Sequence, residues 1–175
     1  MKVKPSLIHR LFYPQVPLVM AALYRGRVSA MPVVSYALIS DSPPMVTVAC
    51  NPEGFTCKLA QRARSFSLSV LDRGQLGAMG KLATVGGAAV KDKLTHVGLE
   101  HSNGEKLRVP VIRGSLATLE CALKSKKSMG DHLLLYARVD SAYASGSFTD
   151  FWDYRRYKPI LYTGWKEGMT TYRGT

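Results

Sequence analysis

The stretch that decides the fold is ATLECALKSKKSMGDHLLLYARVD, at residues 117–140. Apolar and polar side chains alternate in residues 117–124 and again in residues 132–140. The apolar positions are Ala117, Leu119, Cys121, Leu123, Leu133, Leu135, Ala137 and Val139, and the polar positions predicted to face the other way are Thr118, Glu120, Lys124, His132, Tyr136 and Arg138. Such alternation is typical of strands with one buried face. The two strands are predicted to be antiparallel and joined by residues 125–131, with a turn at Gly130.

Other strand patterns precede this pair along the chain. Apolar runs bounded by turn residues predict four more strands, at residues 17–23, 28–40, 45–50 and 66–71. Helical spacing of apolar side chains predicts short helices at residues 55–64 and 75–82. With 175 residues and no linker, the chain is predicted to be a single domain, residues 1–175. The predicted fold class is mainly β, an antiparallel sheet closed into a barrel or sandwich.

The charge of the chain is strongly positive, with 24 Lys plus Arg against 12 Asp plus Glu. The surplus is spread out, because residues 1–90 carry 10 basic and 3 acidic side chains and residues 91–175 carry 14 and 9. A diffuse positive field favours anionic ligands, including phosphorylated small molecules. No basic block or known nucleic-acid motif accompanies it, so a nucleic-acid-binding module is only a remote alternative.

The sequence gives no sign of a membrane protein. The longest uncharged run, residues 11–24, contains Pro14 and Pro17 and is shorter than the roughly 20 apolar residues of a spanning helix. The three cysteines, Cys50, Cys57 and Cys121, form no CxxC motif. An odd count at these spacings predicts reduced thiols and a cytoplasmic location.

Several common site motifs are absent or wrongly spaced. No GxGxxG occurs, and residues 74–81, GQLGAMGK, resemble a phosphate loop with the wrong spacing. His96 and His101 are the only pair that suggests metal ligands, and they are predicted to be solvated, so no metal site is expected.

Five segments of the chain resemble the flavin reductase-like family, whose FMN-binding split barrel also occurs in flavoredoxins and ferric reductases. They are residues 13–36, with Gly26-Arg27 and Ser29-Ala30-Met31-Pro32; residues 51–70, with Thr56-Cys57-Lys58; residues 85–93; Gly130-Asp131-His132; and residues 159–164. Two departures stand out: Ser29 occupies a position where the family commonly has Asn or Thr, and residues 85–93 lack the family's Ser and Phe.

The resemblance implies a fold and a function. The fold would be an antiparallel Greek-key split β-barrel with a few short peripheral helices, and the cofactor would be FMN. The protein would be a homodimer that takes hydride from NAD(P)H and passes electrons to free flavin, ferric iron or a redox protein. The alternative within the same fold is a flavoredoxin-type electron carrier that holds FMN without turning over a nucleotide.

The resemblance also implies a set of site residues. The FMN phosphate would lie on Thr56, Cys57 and Lys58 at a helix start, where unpaired N–H groups favour anions. The flavin ring would lie beside Ser29, Ala30, Met31, Pro32 and Ser35, with Cys50, Asn51 and Lys93 completing the cofactor-binding set. His132 would be the catalytic residue, near the flavin and the docked nicotinamide.

Plain structural roles remain open for several of these residues. Thr56 would cap a helix and Lys58 would be solvated, while the serines of residues 29–35 would face solvent. His132 would hydrogen-bond a loop carbonyl, and Trp165 would either cover the pocket or pack near the end of the chain.

Overall fold

The computed structural model describes residues 2–164 and 169–171. Its strands are β1 (Leu18–Tyr24), β2 (Arg27–Val33), β3 (Tyr36–Asp41), β4 (Pro44–Cys50), β5 (Ser65–Val70), β6 (His101–Asn103), β7 (Pro110–Ile112), β8 (Ala117–Met129), β9 (His132–Ala144), β10 (Ile160–Tyr162) and β11 (Met169–Thr171). Its helices are α1 (Phe55–Ala63), α2 (Leu76–Thr84) and α3 (Lys93–His96), with short 3-10 helices at Pro5–Phe12 and Arg73–Gln75.

Seven strands form one antiparallel sheet in the order β2-β1-β5-β8-β9-β4-β3. The hairpin β1–β2 turns on Arg25 and Gly26, which both adopt positive φ, as a two-residue hairpin turn requires. The predicted strand over residues 28–40 is in fact two strands, β2 and β3. Pro32 lies in β2 at the end of the sheet, where a missing N–H is tolerated.

Strand β1 is buried on both faces and separates two apolar clusters. Met20 points into a cluster with Phe66 and Leu135, which α1 covers, and Val19 points into a second cluster with Met79. Successive side chains of a strand face opposite sides, so one apolar run serves both clusters. Helices α2 and α3 cover the second cluster.

The hairpin β8–β9 is longer than its sequence pattern predicts. Strand β8 continues to Met129, which pairs with His132, so the predicted connection over residues 125–131 is wrong except for the turn at Gly130 and Asp131. Residues 124–132 are exposed and carry no apolar alternation. The strand is extended here by pairing with β9, which an apolar side-chain pattern does not report.

Two side chains on the predicted polar face of β8, Thr118 and Glu120, are buried. Glu120 is fully buried beneath residues 104–107. Its carboxylate accepts hydrogen bonds from the backbone N–H groups of Glu105 (2.9 Å), Lys106 (3.2 Å) and Leu107 (2.6 Å), and from the Tyr143 hydroxyl. A carboxylate with this many donors is stable away from water, so Glu120 is buried although it lies on the predicted polar face.

Two cysteines are paired, which corrects the expectation of reduced thiols. Cys50 ends β4, Cys57 lies in the first turn of α1, and they form a disulfide with Cα atoms 6.3 Å apart. The turn between them brings the two backbones to a separation that a disulfide spans. Cys121 is free and buried. The cytoplasmic location stays a prediction, and in the described part of the chain no helix has the length and apolarity to cross a membrane.

Candidate functional site

A buried polar pair lies where β2 meets the start of α1. The Ser29 and Thr56 hydroxyl oxygens are 2.8 Å apart and both side chains are buried. Alternation along β2 turns Ser29 toward α1, and the turn after β4 delivers Thr56 to the same place. The structure therefore brings together two of the predicted site residues from distant parts of the sequence.

The loop after α2 lies across this pair at Gly87. A Cβ atom on Gly87 would collide with Ser29 Oγ and come within 3.1 Å of Phe55 Cδ1. Only a residue without a side chain allows so close an approach of backbone. The loop is thus fixed on β2 and on the start of α1.

Arg27 completes this cluster and is the functional candidate that the sequence reasoning missed. Its Nη2 donates to the carbonyl oxygens of Ala88 (2.8 Å) and Val90 (3.2 Å), and its Cζ lies 5.2 Å from the centre of the Phe55 ring. Its Nε is buried and has no hydrogen-bond partner among the described residues. A buried charged donor without an acceptor destabilises the fold. We therefore expect this N–H group to bind an anionic ligand.

The start of α1 offers further donors to the same ligand. The first hydrogen bond within the helix runs from Lys58 N to Gly54 O (3.0 Å). The N–H groups of residues 55–57 therefore have no acceptor within the helix. Such groups at a helix N-terminus bind phosphate and carboxylate. With Arg27 alongside, the donor set fits the phosphate of a flavin nucleotide.

Lys58 and Asn51 hold the turn before α1. Lys58 Nζ is 2.7 Å from Glu53 Oε2, and Asn51 Oδ1 accepts a hydrogen bond from Glu53 N at 2.9 Å. The Lys58 ion pair lowers the pKa of Glu53 through its hydrogen bond and its charge. The ammonium group is therefore already paired, and the predicted contact of Lys58 with a phosphate stays untested.

An apolar cleft of about 400 Å³ lies further along β2. Its lining includes Met31, Pro32, Val34, Leu82, Lys93 and Tyr162. A largely apolar pocket with one cationic group suits a flat aromatic ring whose edge carries oxygen and nitrogen acceptors. Two of the predicted ring-binding residues, Met31 and Pro32, and Lys93 of the wider predicted cofactor-binding set therefore share this cleft.

Lys93 is almost fully buried, with 4% of its surface exposed. In residues 2–164 and 169–171 its ammonium group has neither a carboxylate nor a hydrogen-bond acceptor as partner. Burial lowers the pKa of Lys93 because it disfavours the charged form. An ammonium group at the cleft, without a partner among the described residues, is available to a ligand there.

Asp92 fixes the position of Lys93. Its carboxylate caps α3 by accepting from Thr95 N (3.1 Å) and also bonds His101 Nε2 (2.9 Å). Burial raises the pKa of Asp92, and the bonds from His101 and Thr95 outweigh that effect, so the net pKa is lowered. His101 is a largely buried partner of Asp92, which corrects its prediction as a solvated residue. Val28 N binds Lys91 O at 3.0 Å, which ties this loop to β2.

The remaining predicted ring-binding residues lie elsewhere. The side chain of Ala30 is buried in the second apolar cluster, so a ligand could contact only its backbone. Ser35 lies in a separate cavity beside the N-terminal 3-10 helix, and its carbonyl accepts from Ala49 N at 2.8 Å. Cys50 and Cys57 are joined in the first apolar cluster.

His132 lies on the far tip of the β8–β9 hairpin. Its Nδ1 is 2.7 Å from Asp131 Oδ1, and about half of its side chain is exposed. His132 is not among the described residues that line the Met31–Lys93 cleft. Trp165 lies outside the described residues.

Comparison with known proteins identifies the family. Residues 9–161 match the family model described as "Flavin reductase like domain". The chain belongs to the flavin reductase-like family. It is 29% identical over 158 residues to an Aeropyrum pernix protein, covering 90% of this chain and 60% of that one. It is 30% identical over 117 residues to a flavin reductase of Pseudomonas putida, covering 65% of this chain and 63% of that one. The chain thus spans less than two thirds of either relative.

A solved structure supports the same architecture. The FMN-binding protein of Thermus thermophilus with bound p-hydroxybenzaldehyde aligns with a TM-score of 0.83 and 27% identity, covering 98% of this chain and 92% of that one. The predicted mainly β split barrel with short helices is therefore confirmed.

Proposed function

We propose that the chain binds FMN and acts as a flavin reductase, taking hydride from NAD(P)H and passing electrons to free flavin, ferric iron or a redox protein. One observation carries the proposal: Arg27 keeps a buried, unpaired Nε–H beside the Ser29–Thr56 pair and the start of α1. Arginine is suited to phosphate because its donors form a fixed planar fork. The family membership and the Met31–Lys93 cleft support the same ligand.

The residues of the site have distinct roles in this proposal. Arg27 and the N–H groups of residues 55–57 hold the phosphate, while Met31 and Pro32 pack against the ring. Lys93 donates a hydrogen bond to an acceptor on the ring edge and places a positive charge there. A cation at that edge favours added negative charge on the ring, which assists reduction. Bound flavin itself supplies hydride acceptance and electron release.

A homodimer is part of the proposal. Large apolar side chains are exposed on the N-terminal 3-10 helix at Leu11 and Phe12 and on β3 at Leu38. Exposed apolar surface, where it is contiguous, marks interaction sites. In a twofold dimer the β8–β9 hairpin tip, with His132, is free to approach the partner's cleft. Light scattering should give about twice the chain mass, and a monomer that binds FMN tightly would contradict this element.

The test of the phosphate site compares FMN with riboflavin, which lacks the phosphate. Arg27→Gln should weaken FMN binding about tenfold or more, because charge-assisted bonds contribute roughly 1.5–3 kcal/mol each. Riboflavin affinity should stay the same. Arg73→Gln, an exposed arginine elsewhere, is the control, and Lys58→Ala should have a smaller effect than Arg27→Gln because Lys58 is paired with Glu53. Equal FMN affinity in Arg27→Gln and the parent would refute the assignment.

The test of enzyme against carrier uses the flavin-loaded protein. Rapid mixing with NADH or NADPH should bleach the flavin absorbance in a single turnover. His132→Ala should slow this phase with little change in FMN affinity, as expected for a residue that orients the donor. If dithionite bleaches the flavin and neither nucleotide does, the carrier function replaces the reductase function.

A further inference from the structure

Three arginines from separate segments line one groove at the turn end of the β1–β2 hairpin. The groove has a volume of about 510 Å³ and its lining includes Tyr24, Arg25, Arg62, Ala63, Ser65 and Arg108. The arginines are scattered in the sequence, and folding gathers them on one surface. No acidic side chain contributes to the lining.

Each arginine is held by a different part of the fold. The Arg25 guanidinium lies 5.4 Å from the centre of the Tyr24 ring, within range of a cation–π contact. Arg62 is fixed in the last turn of α1. The Arg25 guanidinium is therefore positioned by the Tyr24 ring, and the backbone of Arg62 by α1.

Arg108 is positioned by the buried carboxylate of Glu120. The backbone N–H groups of residues 105–107 all donate to that carboxylate, and Gly104 N donates to Val109 O at 2.9 Å, closing the loop around Arg108. A Cβ atom on Gly104 would collide with Glu120. A fully buried charge thus anchors the short loop that presents Arg108 to the groove.

The groove carries uncompensated positive charge. Within residues 2–164 and 169–171, none of the three guanidinium groups forms an ion pair or a hydrogen bond with a protein group. Like charges on one concave surface repel each other, and a bound anion relieves that repulsion. Guanidinium groups pair best with phosphate, through two parallel N–H···O bonds.

We propose that this groove binds the diphosphate of an ADP group. Three guanidinium charges match a diphosphate, which carries roughly two to three negative charges at neutral pH. The volume is within the range of small-molecule sites. Arg62 lies six residues after Thr56, about 9 Å along the α1 axis from the Ser29–Thr56 pair, so this site is separate from the proposed flavin site. The proposal does not depend on flavin binding.

The test measures binding of ADP, pyrophosphate and adenosine to the full chain by calorimetry. ADP and pyrophosphate should bind, and adenosine should not. Arg25→Gln, Arg62→Gln and Arg108→Gln should each weaken ADP binding about tenfold and leave FMN affinity unchanged. Arg113→Gln is the matched control, since Arg113 is exposed and lies 3.8 Å from Glu100 outside the groove.

Competition then distinguishes the sources of the ADP group. Displacement of ADP by NADPH or FAD would support the site and assign it to the adenine end of a dinucleotide, and no displacement would support a separate nucleotide site. Adenosine binding as tightly as ADP would overturn the proposal. So would ADP affinity that is the same in all three groove variants, or a short RNA that displaces ADP and binds through the same arginines more tightly.

Discussion

Two charged side chains of the described residues, Glu120 and Lys93, are buried, and their hydrogen bonding differs. Glu120 accepts hydrogen bonds from three backbone N–H groups and from Tyr143. Lys93 is nearly as deeply buried, and in the described part of the chain its ammonium group has no partner. The hydrogen-bonded carboxylate of Glu120 holds the loop at residues 104–107 in place. The ammonium group of Lys93 lowers the stability of the fold, and we expect it to bind a ligand.

The pKa shifts express the same contrast. Burial alone would raise the pKa of Glu120, but hydrogen bonds from Tyr143 and the backbone of residues 105–107 outweigh it, so its pKa is lowered. For Lys93 burial acts without opposition and lowers the pKa. In both cases the pKa falls, which stabilises a charged carboxylate and destabilises a charged amine.

The largest expected effect is that of Glu120→Ala on stability. Removing the carboxylate leaves several donors without an acceptor, so the free energy of unfolding should fall by about 3–5 kcal/mol. Urea denaturation measures it. Glu100→Ala is the control, because Glu100 is exposed and should change stability by no more than about 0.5 kcal/mol. A loss of less than about 1 kcal/mol for Glu120→Ala would mean that residues 104–107 keep their conformation without the Glu120 carboxylate.

Lys93→Met should separate stability from binding. The variant should be more stable than the parent, because a partnerless buried charge is replaced by an apolar side chain. FMN affinity should fall about tenfold, equal to roughly 1.4 kcal/mol, since the cleft loses its cation. Thermal unfolding and flavin titration measure the two effects, and exposed Lys91→Met is the control. A destabilised Lys93→Met would show that Lys93 has a structural partner.

Asp92→Ala tests whether the position of Lys93 matters as well as its charge. Loss of the α3 cap and of the His101 bond should cost about 1 kcal/mol of stability. FMN affinity should fall by a few-fold, less than in Lys93→Met. An unchanged FMN affinity, with the stability loss present, would argue that the ring contact does not depend on α3.

The smallest expected effect is a pH dependence of stability. The pKa of Lys93 is lowered in the folded state from its ordinary value of 10.5. Between these two pKa values the unfolded chain binds more protons, so stability rises with pH across that window. Lys93→Met should lack this component of the rise, which is seen by comparing denaturation curves of the two proteins over a pH series that ends at 10.5. Parallel pH profiles of variant and parent would contradict it.

Strand existence was predictable from the sequence, but the environment of each face was not. Apolar alternation located β8 and β9 and the core positions Leu123 and Leu135. It did not report that Glu120 is buried, because a loop 15 residues earlier supplies the donors that let it be buried. It failed for the hairpin length, because residues 125–129 pair with β9 although they are exposed and carry no apolar alternation.

The candidate site was predictable only in part, and from resemblance more than from chemistry. The structure brings Ser29 to Thr56, and Met31 and Pro32 to Lys93, while their role in binding a flavin stays a prediction. Arg27 was named only as part of the resemblance, although an arginine at the start of a mostly apolar strand was an available signal. The arginine groove was not predictable from the sequence, because Arg25, Arg62 and Arg108 are far apart along the chain and come together only in the folded structure.

The strand order also governs when the chain is able to fold during synthesis. Cys50 at the end of β4 pairs with Leu133 of β9, so β4 keeps one unpaired edge until the ribosome has released residues 133–138. The hairpin of β3 and β4 pairs with β9, which is synthesised much later. Folding is therefore expected to be slow compared with that of a sheet made of local hairpins. A chain stopped before Leu133 would expose the inner edge of β4, and such an edge recruits other chains. Premature termination is therefore expected to give aggregates rather than a smaller folded unit.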